Sequence, residues 1–247
     1  MEVGFRTDKG KMRSNNEDAC YVMPIMKVFV VADGVGGNNS GEIASRTAVN
    51  EIVGYVRKHP MDDIDSLGQV QGYFDACLDK ANRKVLESSQ KFHQNKGMAT
   101  TIVCSYVTGD RLYVLNIGDS RCYLFRDGAL DQITEDHTYV NSLVKAGVIT
   151  EEEAITHEKR NMITRAIGAS QKVKADYFVR QIQSGDIILM CTDGLYGEVD
   201  SDSISEKLSE GKTMVDTCYE LLKQANRNGG NDNITMICIK ITEEDIK

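Results

Sequence analysis

Tryptophan is absent from the 247 residues, proline occurs twice, and the longest stretch free of charged or strongly polar side chains, Ala19 to Met26, is eight residues long. A membrane helix needs about 20 apolar residues, so no span is available. With two prolines and no serine- or glycine-rich tract, nothing reads as an interdomain linker, and there is no internal repeat. A single domain over residues 1–247 is expected. Positive charge is in deficit, with 29 Lys and Arg against 37 Asp and Glu and a formal charge of −8. That balance opposes a phosphate backbone, and no basic stripe is interleaved with aromatics, so nucleic acid is not expected as a partner. A C-x-x-C pair is also missing among the seven cysteines. Their odd number, and their place in apolar runs such as TTIVCSYV and DIILMCTDG, points to buried free thiols rather than disulfides or a zinc site. The opening MEVGFRTDKGK scatters acids and bases where a secretory leader needs a basic start and an apolar run, so a cytoplasmic location is expected.

What is present is ordinary globular material, 41% apolar and 27% charged. Short runs rich in β-branched or aromatic residues read as strands: ACYVM, VFVVAD, TTIVCSYV, RLYVLNIG, RCYLFRDG, DYFVRQI, DIILMCTD and ITMICIKI. The tight turns in VTGDR and FRDGAL join neighbours as antiparallel hairpins. Apolar residues recur at helical spacing from about Gly41 to Lys58, about Ser66 to Phe92 and about Thr213 to Arg227, the last stopped by Asn228-Gly229-Gly230. Residues 138–165 lack strand pattern, mix polar with apolar residues, and include Thr150-Glu-Glu-Glu, the form of an N-cap with an acidic first turn. They are expected to form a flap. Strands, paired helices, then strands again imply helices packed outside two facing sheets.

The chemistry is concentrated where strands stop. VFVVAD ends in Asp33-Gly34-Val35-Gly36-Gly37 and DIILMCTD ends in Asp193-Gly194-Leu195. An acid at a strand tip is held by the sheet, and the following glycine lets the backbone turn and bring its carbonyl close to whatever the acid binds. A plain Asp-Gly turn is the competing reading of each. Glu17-Asp18 precede ACYVM, and Asp232 lies just before ITMICIKI. Hard divalent cations such as Mg²⁺ and Mn²⁺ take oxygen ligands of this kind. Whether these strand ends converge is left open at this level.

The combination carries more. Arg13-x-x-Asn16-Glu17-Asp18, the Asp33-Gly34-Val35-Gly36-Gly37 run with Gly41-Glu42 and Ala44-Ser45, Gly97-Met98-Ala99-Thr100-Thr101, Gly118-Asp119-Ser120-Arg121, Thr134-x-Asp136-His137, Thr192-Asp193-Gly194-Leu195 and Asn231-Asp232-Asn233 occur in that order. The series resembles the metal-dependent protein serine/threonine phosphatases of type 2C, the PPM family, and its compact length is similar to the bacterial stand-alone members. The resemblance implies an α+β fold, a four-layer α-β-β-α sandwich of two mainly antiparallel sheets flanked by helices. It also implies two tightly bound Mn²⁺ or Mg²⁺ ions, with Asp33 bridging them, the Gly34 carbonyl on one, and Asp193 and Asp232 on the other. Glu17 and Asp18 would act mainly through water, Asp119 with Asp193 would hold a weaker third ion, and Arg13 would grip the substrate phosphate. The implied reaction is hydrolysis of phosphoserine and phosphothreonine in proteins by a metal-bridging hydroxide, reversing a bacterial Ser/Thr kinase, in a protein expected to be a monomer.

One departure from the family pattern matters. Many animal relatives have His directly after the Asp-Gly, where a general acid has been proposed, whereas Val35 stands here. His137 is a candidate substitute, against the commoner structural role of a lone histidine. Nucleotide-binding readings fail: Gly211-Lys212-Thr213 ends like a P-loop but Glu206 stands where glycine is required, and Gly34-x-Gly36 meets Asn39 where a dinucleotide fingerprint needs Gly. A metal-free binding module would be expected to have lost a ligand, yet Asp33, Asp193 and Asp232 are all present.

Overall fold

In chain order the elements are β1 (Glu2–Asp8), β2 (Ala19–Met23), β3 (Val28–Ala32), β4 (Gly34–Val35), α1 (Ser40–Lys58), α2 (Leu67–Lys91), β5 (Ala99–Thr100), β6 (Ile102–Thr108), β7 (Arg111–Ile117), β8 (Arg121–Arg126), β9 (Ala129–Gln132), α3 (Tyr139–Lys145), α4 (Glu151–Thr156), β10 (Asp176–Gln181), β11 (Ile187–Cys191), α5 (Asp193–Tyr196), α6 (Ser201–Ser209), α7 (Met214–Asn228) and β12 (Ile234–Lys240). The computed structural model describes residues 1–36, 40–61 and 64–246; Gly37 of the Asp-Gly-Val-Gly-Gly run and Asn39 lie outside the described residues.

Two five-stranded antiparallel sheets, ordered β1-β12-β11-β8-β9 and β10-β7-β6-β3-β2, face each other. The period of two along a strand explains why the central strands are apolar throughout. In β3, Phe29 and Val31 point into the layer between the sheets with Ile188, Met190, Ile237 and Ile239. Val28 and Val30 point the other way, onto Ala48, Ile52, Phe74 and Leu78 of α1 and α2. On the second sheet, Leu189, Cys191, Met236 and Cys238 pack under Ile204 of α6 and Cys218 and Leu221 of α7. Both faces of each sheet are thus covered, which gives the expected four-layer α-β-β-α sandwich.

The helix ends follow the capping signals. Ser66 and Thr150 form capping boxes with Gln69 and Glu153, and Thr213 caps α7. The FRDGAL hairpin turns through positive φ at Asp127 and Gly128. Among the elements not expected from sequence are β1 and α6. In β1 the charged residues Glu2, Arg6 and Asp8 mask its pattern, and pairing with β12 makes it a strand. Helix α6 buries only Ile204 and Leu208, too few for a periodic signal. Residues 138–165 contain α3 and α4, and the Thr138–Ile163 bridge closes the segment at its base. All seven cysteines are free and six are buried, as expected. Among the described residues no helix is long and apolar enough to cross a membrane.

Candidate active site

Antiparallel register places the acids. Ala19 pairs with Ala32, so Asp18 and Asp33 emerge side by side at the β2–β3 edge. Cys191 pairs with both Arg121 and Met236, which brings Asp119, Asp193 and the residues before β12 to one end of the other sheet. Asp8 pairs with Ile234, so the loop after β1, carrying Arg13, Glu17 and Asp18, passes Asp232. Asp33 feels the charges of Asp18, Asp193, Asp119 and Asp232, which places the strand ends of both sheets around one site. The convergence left open by the sequence is therefore present.

Asp18, Asp33 and Asp119 are held from behind. Asp33 is fixed through its backbone, its N–H donating to Thr101 Oγ1 at 2.9 Å and its carbonyl accepting from Thr100 Oγ1 at 2.8 Å and from the Thr101 N–H at 2.9 Å. Asp18 accepts from Thr192 Oγ1 at 2.9 Å. The Tyr196 hydroxyl donates to the Asp119 carbonyl at 3.0 Å, and the Arg121 guanidinium lies 3.6 Å from the Tyr196 ring centre while donating to both Asp136 oxygens. Tyr196 ends the short helix that starts at Asp193, so this bracket ties Asp119 to Asp193.

The charges are undercompensated. Burial first, then neighbouring acids, pushes Asp18 and Asp119 up to about 7 and Asp193 up to about 6, and raises Asp33 as well. One nearby cation is Arg13, whose Nη2 is 2.6 Å from Asp232 Oδ2; that bond, with the charges of Asp193 and Asp33, raises its pKa. Asp18 Oδ1 and Asp193 Oδ1 are buried without a hydrogen-bond partner among the described residues. Orphaned carboxylate oxygens in an acidic cluster fit a hard divalent cation. Among the described residues no group of three or more His, Cys, Asp or Glu side chains stands close enough together to hold a metal ion.

Glycines let the loops interlock. A Cβ on Gly34 would stand 2.2 Å from the Gly41 carbonyl oxygen and 2.5 Å from that of Glu17, and one on Gly194 would stand 2.0 Å from the Asn233 carbonyl oxygen. Glu17 Oε2 lies against Gly41 at the start of α1, so Glu17 approaches the site from the α1 side, near Gly34.

The arrangement has counterparts. A family model described as protein phosphatase 2C matches residues 10–237. The chain belongs to the protein phosphatase 2C family. It is 32% identical over 243 residues to the serine/threonine phosphatase stp of Listeria monocytogenes serotype 4b, covering 97% of this chain and 96% of that one. Among solved structures it resembles the S. agalactiae serine/threonine phosphatase, with a TM-score of 0.89, 34% identity and coverage of 97% of this chain and 99% of that one. It also resembles the catalytic domain of the phosphatase PstP in complex with two manganese ions, with a TM-score of 0.84, 33% identity and 98% coverage of each chain. The protein is a phosphatase of this family, as the motif series implied.

The contacts of several residues of this phosphatase site escaped sequence reasoning. Thr192 and Asn233 stand in the motif series and Tyr196 lies three residues after Asp193, but the partners of all three lie far away in the chain. His137 proves structural: it is buried, its Nδ1 accepts from the Gly118 N–H at 3.0 Å, and Nε2 faces Asp176 Oδ2 at 3.0 Å. Both nitrogens are engaged within the fold, and burial lowers its pKa. The chain also contains one Cys-x5-Arg spacing, Cys77 to Arg83, of the kind used by cysteine phosphatases. It lies inside α2, with Cys77 fully buried and its thiol pushed up to about 12, so it forms no phosphate loop.

Proposed function

We propose that this phosphatase hydrolyses phosphoserine and phosphothreonine in proteins, using Mn²⁺ or Mg²⁺ held by the carboxylates at the sheet ends. The observation that carries the reading is the grouping of Asp18, Asp33, Asp119, Asp193 and Asp232 around Arg13, with charge that the chain itself leaves unbalanced. Asp33 would lie between two ions, the Gly34 carbonyl would serve one, and Asp193 and Asp232 the other. Asp119 with Asp193 would hold a weaker third, and Glu17 and Asp18 would act mainly through water. Bound there, the cations supply the charge that neutralises a phosphate dianion and make a water acidic enough for in-line attack near neutral pH.

The chain's own contribution is placement. Arg13 offers the planar fork that matches phosphate oxygens, from a loop whose side chain is half exposed at the site mouth. Thr100, Thr101 and Thr192 keep Asp33 and Asp18 aimed inward, while the Tyr196–Arg121–Asp136 bracket holds Asp119 beside Asp193. Neither Val35 nor His137 supplies a proton to the leaving alkoxide.

Residues 138–165 serve as a flap on a single catalytic domain spanning 1–247. Support comes from the root of the segment: the His137 N–H donates to the Gly118 carbonyl and the Thr164 N–H to the His137 carbonyl, so it leaves and returns beside Asp119. The functional counterpart is a Ser/Thr kinase acting on the same phosphoproteins in the cytoplasm, and the phosphatase works as a monomer. Turnover of p-nitrophenyl phosphate and of phosphoserine and phosphothreonine peptides, with Mn²⁺ and with excess EDTA, tests the reading. Full activity in EDTA, or none with metal, would overturn it.

A further inference from the structure

One amide side chain fastens the Arg13 loop to the segment that carries Asp232. Asn233 is 5% exposed. Its Oδ1 accepts from the Glu17 N–H at 2.8 Å, and its Nδ2 donates to the carbonyls of Lys9 and Asn15, both at 2.9 Å. An amide has two N–H donors, and here both go to the same loop, on either side of Arg13. The Asn233 backbone N–H donates to Asp232 Oδ1 at 2.8 Å, and its carbonyl abuts Gly194, next to Asp193. Asn233 is therefore the point at which the Arg13 loop, Asp232 and the Asp193 turn meet.

A second set of contacts holds the first half of that loop independently. The Lys11 and Met12 N–H groups donate to the Gly230 carbonyl at 2.8 and 3.2 Å. Among the described residues, 13–17 have no such backbone anchor to the 230 segment; their tie to it is the Asn233 side chain, through Asn15 and Glu17, and the Arg13–Asp232 salt bridge. Loss of the Asn233 amide would loosen the stretch around Arg13, while Asn16 Nδ2 donating to Thr7 Oγ1 at 2.8 Å and the Gly34 N–H and Ser45 Oγ donating to the Glu17 carbonyl keep the far end of the loop attached.

We infer that Asn233 is a positioning residue for phosphate recognition: its amide sets the height and direction of the Arg13 fork relative to the carboxylates, and it acts on phosphate only through that loop. The inference rests on the phosphatase reading above for the role of Arg13. It assigns to Asn233 a coupling between two parts of the site that are over two hundred residues apart in sequence, with a separation of 218 between Asn15 and Asn233.

The test is a double-substitution cycle with a local structural readout. In Asn233→Ala, inorganic phosphate should bind the Mn²⁺-loaded protein about tenfold more weakly by calorimetry, with KM for a phosphopeptide rising similarly. Backbone amide exchange should accelerate at residues 13–18 and not at Lys11 or Met12. In an Arg13→Ala background the same substitution should weaken phosphate binding by less than about twofold, because the group it positions is gone. Should Asn233→Ala fail to fold, Asn233→Asp carries the same cycle, since it keeps the acceptor for Glu17 and loses both donations. Equal effects of the Asn233 substitution with and without Arg13, or unchanged exchange at residues 13–18, would overturn the inference. A wild-type protein lacking metal-dependent turnover would instead overturn the phosphatase reading, while the phosphate-binding cycle and exchange still judge the positioning.

Discussion

Arg13 and Asp232 share a salt bridge, with Nη2 2.6 Å from Oδ2 and side chains 53% and 34% exposed. The residue proposed to grip phosphate is therefore bonded to a residue proposed to hold metal. A cation held at Asp232 would compete with the guanidinium for the same oxygen, and a guanidinium displaced from Asp232 would be free for phosphate. Mutual solvent exposure makes the exchange inexpensive, because exposed pairs contribute at most about 1 kcal/mol.

For Arg13→Ala the expected result is phosphate binding weakened by roughly 10- to 150-fold, from loss of a charge-assisted fork contributing about 1.5 to 3 kcal/mol. Mn²⁺ stoichiometry should stay the same, and its affinity should hold or rise, since a competing positive charge has gone. Parallel calorimetric titrations with Mn²⁺ and inorganic phosphate check both arms; reduced metal stoichiometry would show that Arg13 supports the metals instead.

Asp119→Ala should behave differently. Removal of a carboxylate beside Asp193 should lower kcat and raise the metal concentration needed for activity, with phosphate affinity changed little. Steady-state kinetics across a Mn²⁺ series decides it: a variant altered only in KM would remove Asp119 from the metal role.

Replacing Asp33, Asp193 or Asp232 by Asn keeps volume and deletes charge. Most turnover should disappear, whereas the metal-free protein should keep its thermal midpoint for Asp232→Asn and gain for Asp33→Asn and Asp193→Asn, because burial and neighbouring acids disfavour those two charges. Circular dichroism melts in EDTA, paired with activity in Mn²⁺, test this. Unaltered kcat in all three variants would place the centre elsewhere.

The pH dependence of the metal-free protein has a definite sign. Asp18 and Asp119 rise from 3.8 to about 7 on folding and Asp193 to about 6, so the native state binds more protons than the unfolded chain between roughly pH 4 and 7. These groups make stability fall as pH rises through that window, with the loss complete above about 7. EDTA-treated protein should therefore melt higher near pH 6 than near pH 8, and Mn²⁺ should raise the melting temperature more at pH 8, where protons no longer compete for the carboxylates. A higher metal-free midpoint at pH 8 would contradict the burial of these charges.

How much was legible before the tertiary structure depends on whether the signal is local. Helices α1, α2 and α7 announce themselves by apolar periodicity, and Ser66, Thr150 and Thr213 mark starts that the structure keeps. Asp33 and Asp193 stand out because a solid apolar strand ends in an acid followed by Gly, and the ordered motifs identify the family. These are properties of neighbouring residues. By contrast, β1 is a strand because β12 lies beside it, and Asp18 meets Asp33 because Ala19 pairs with Ala32. The Arg13–Asp232 bond closes a separation of 219 residues, and the Asn233 amide spans 216 to reach the Glu17 N–H. A side chain's type and its spacing within an element are written in the chain, but which distant backbone group it meets is set by sheet register, which exists only when the buried faces of both sheets have been packed together.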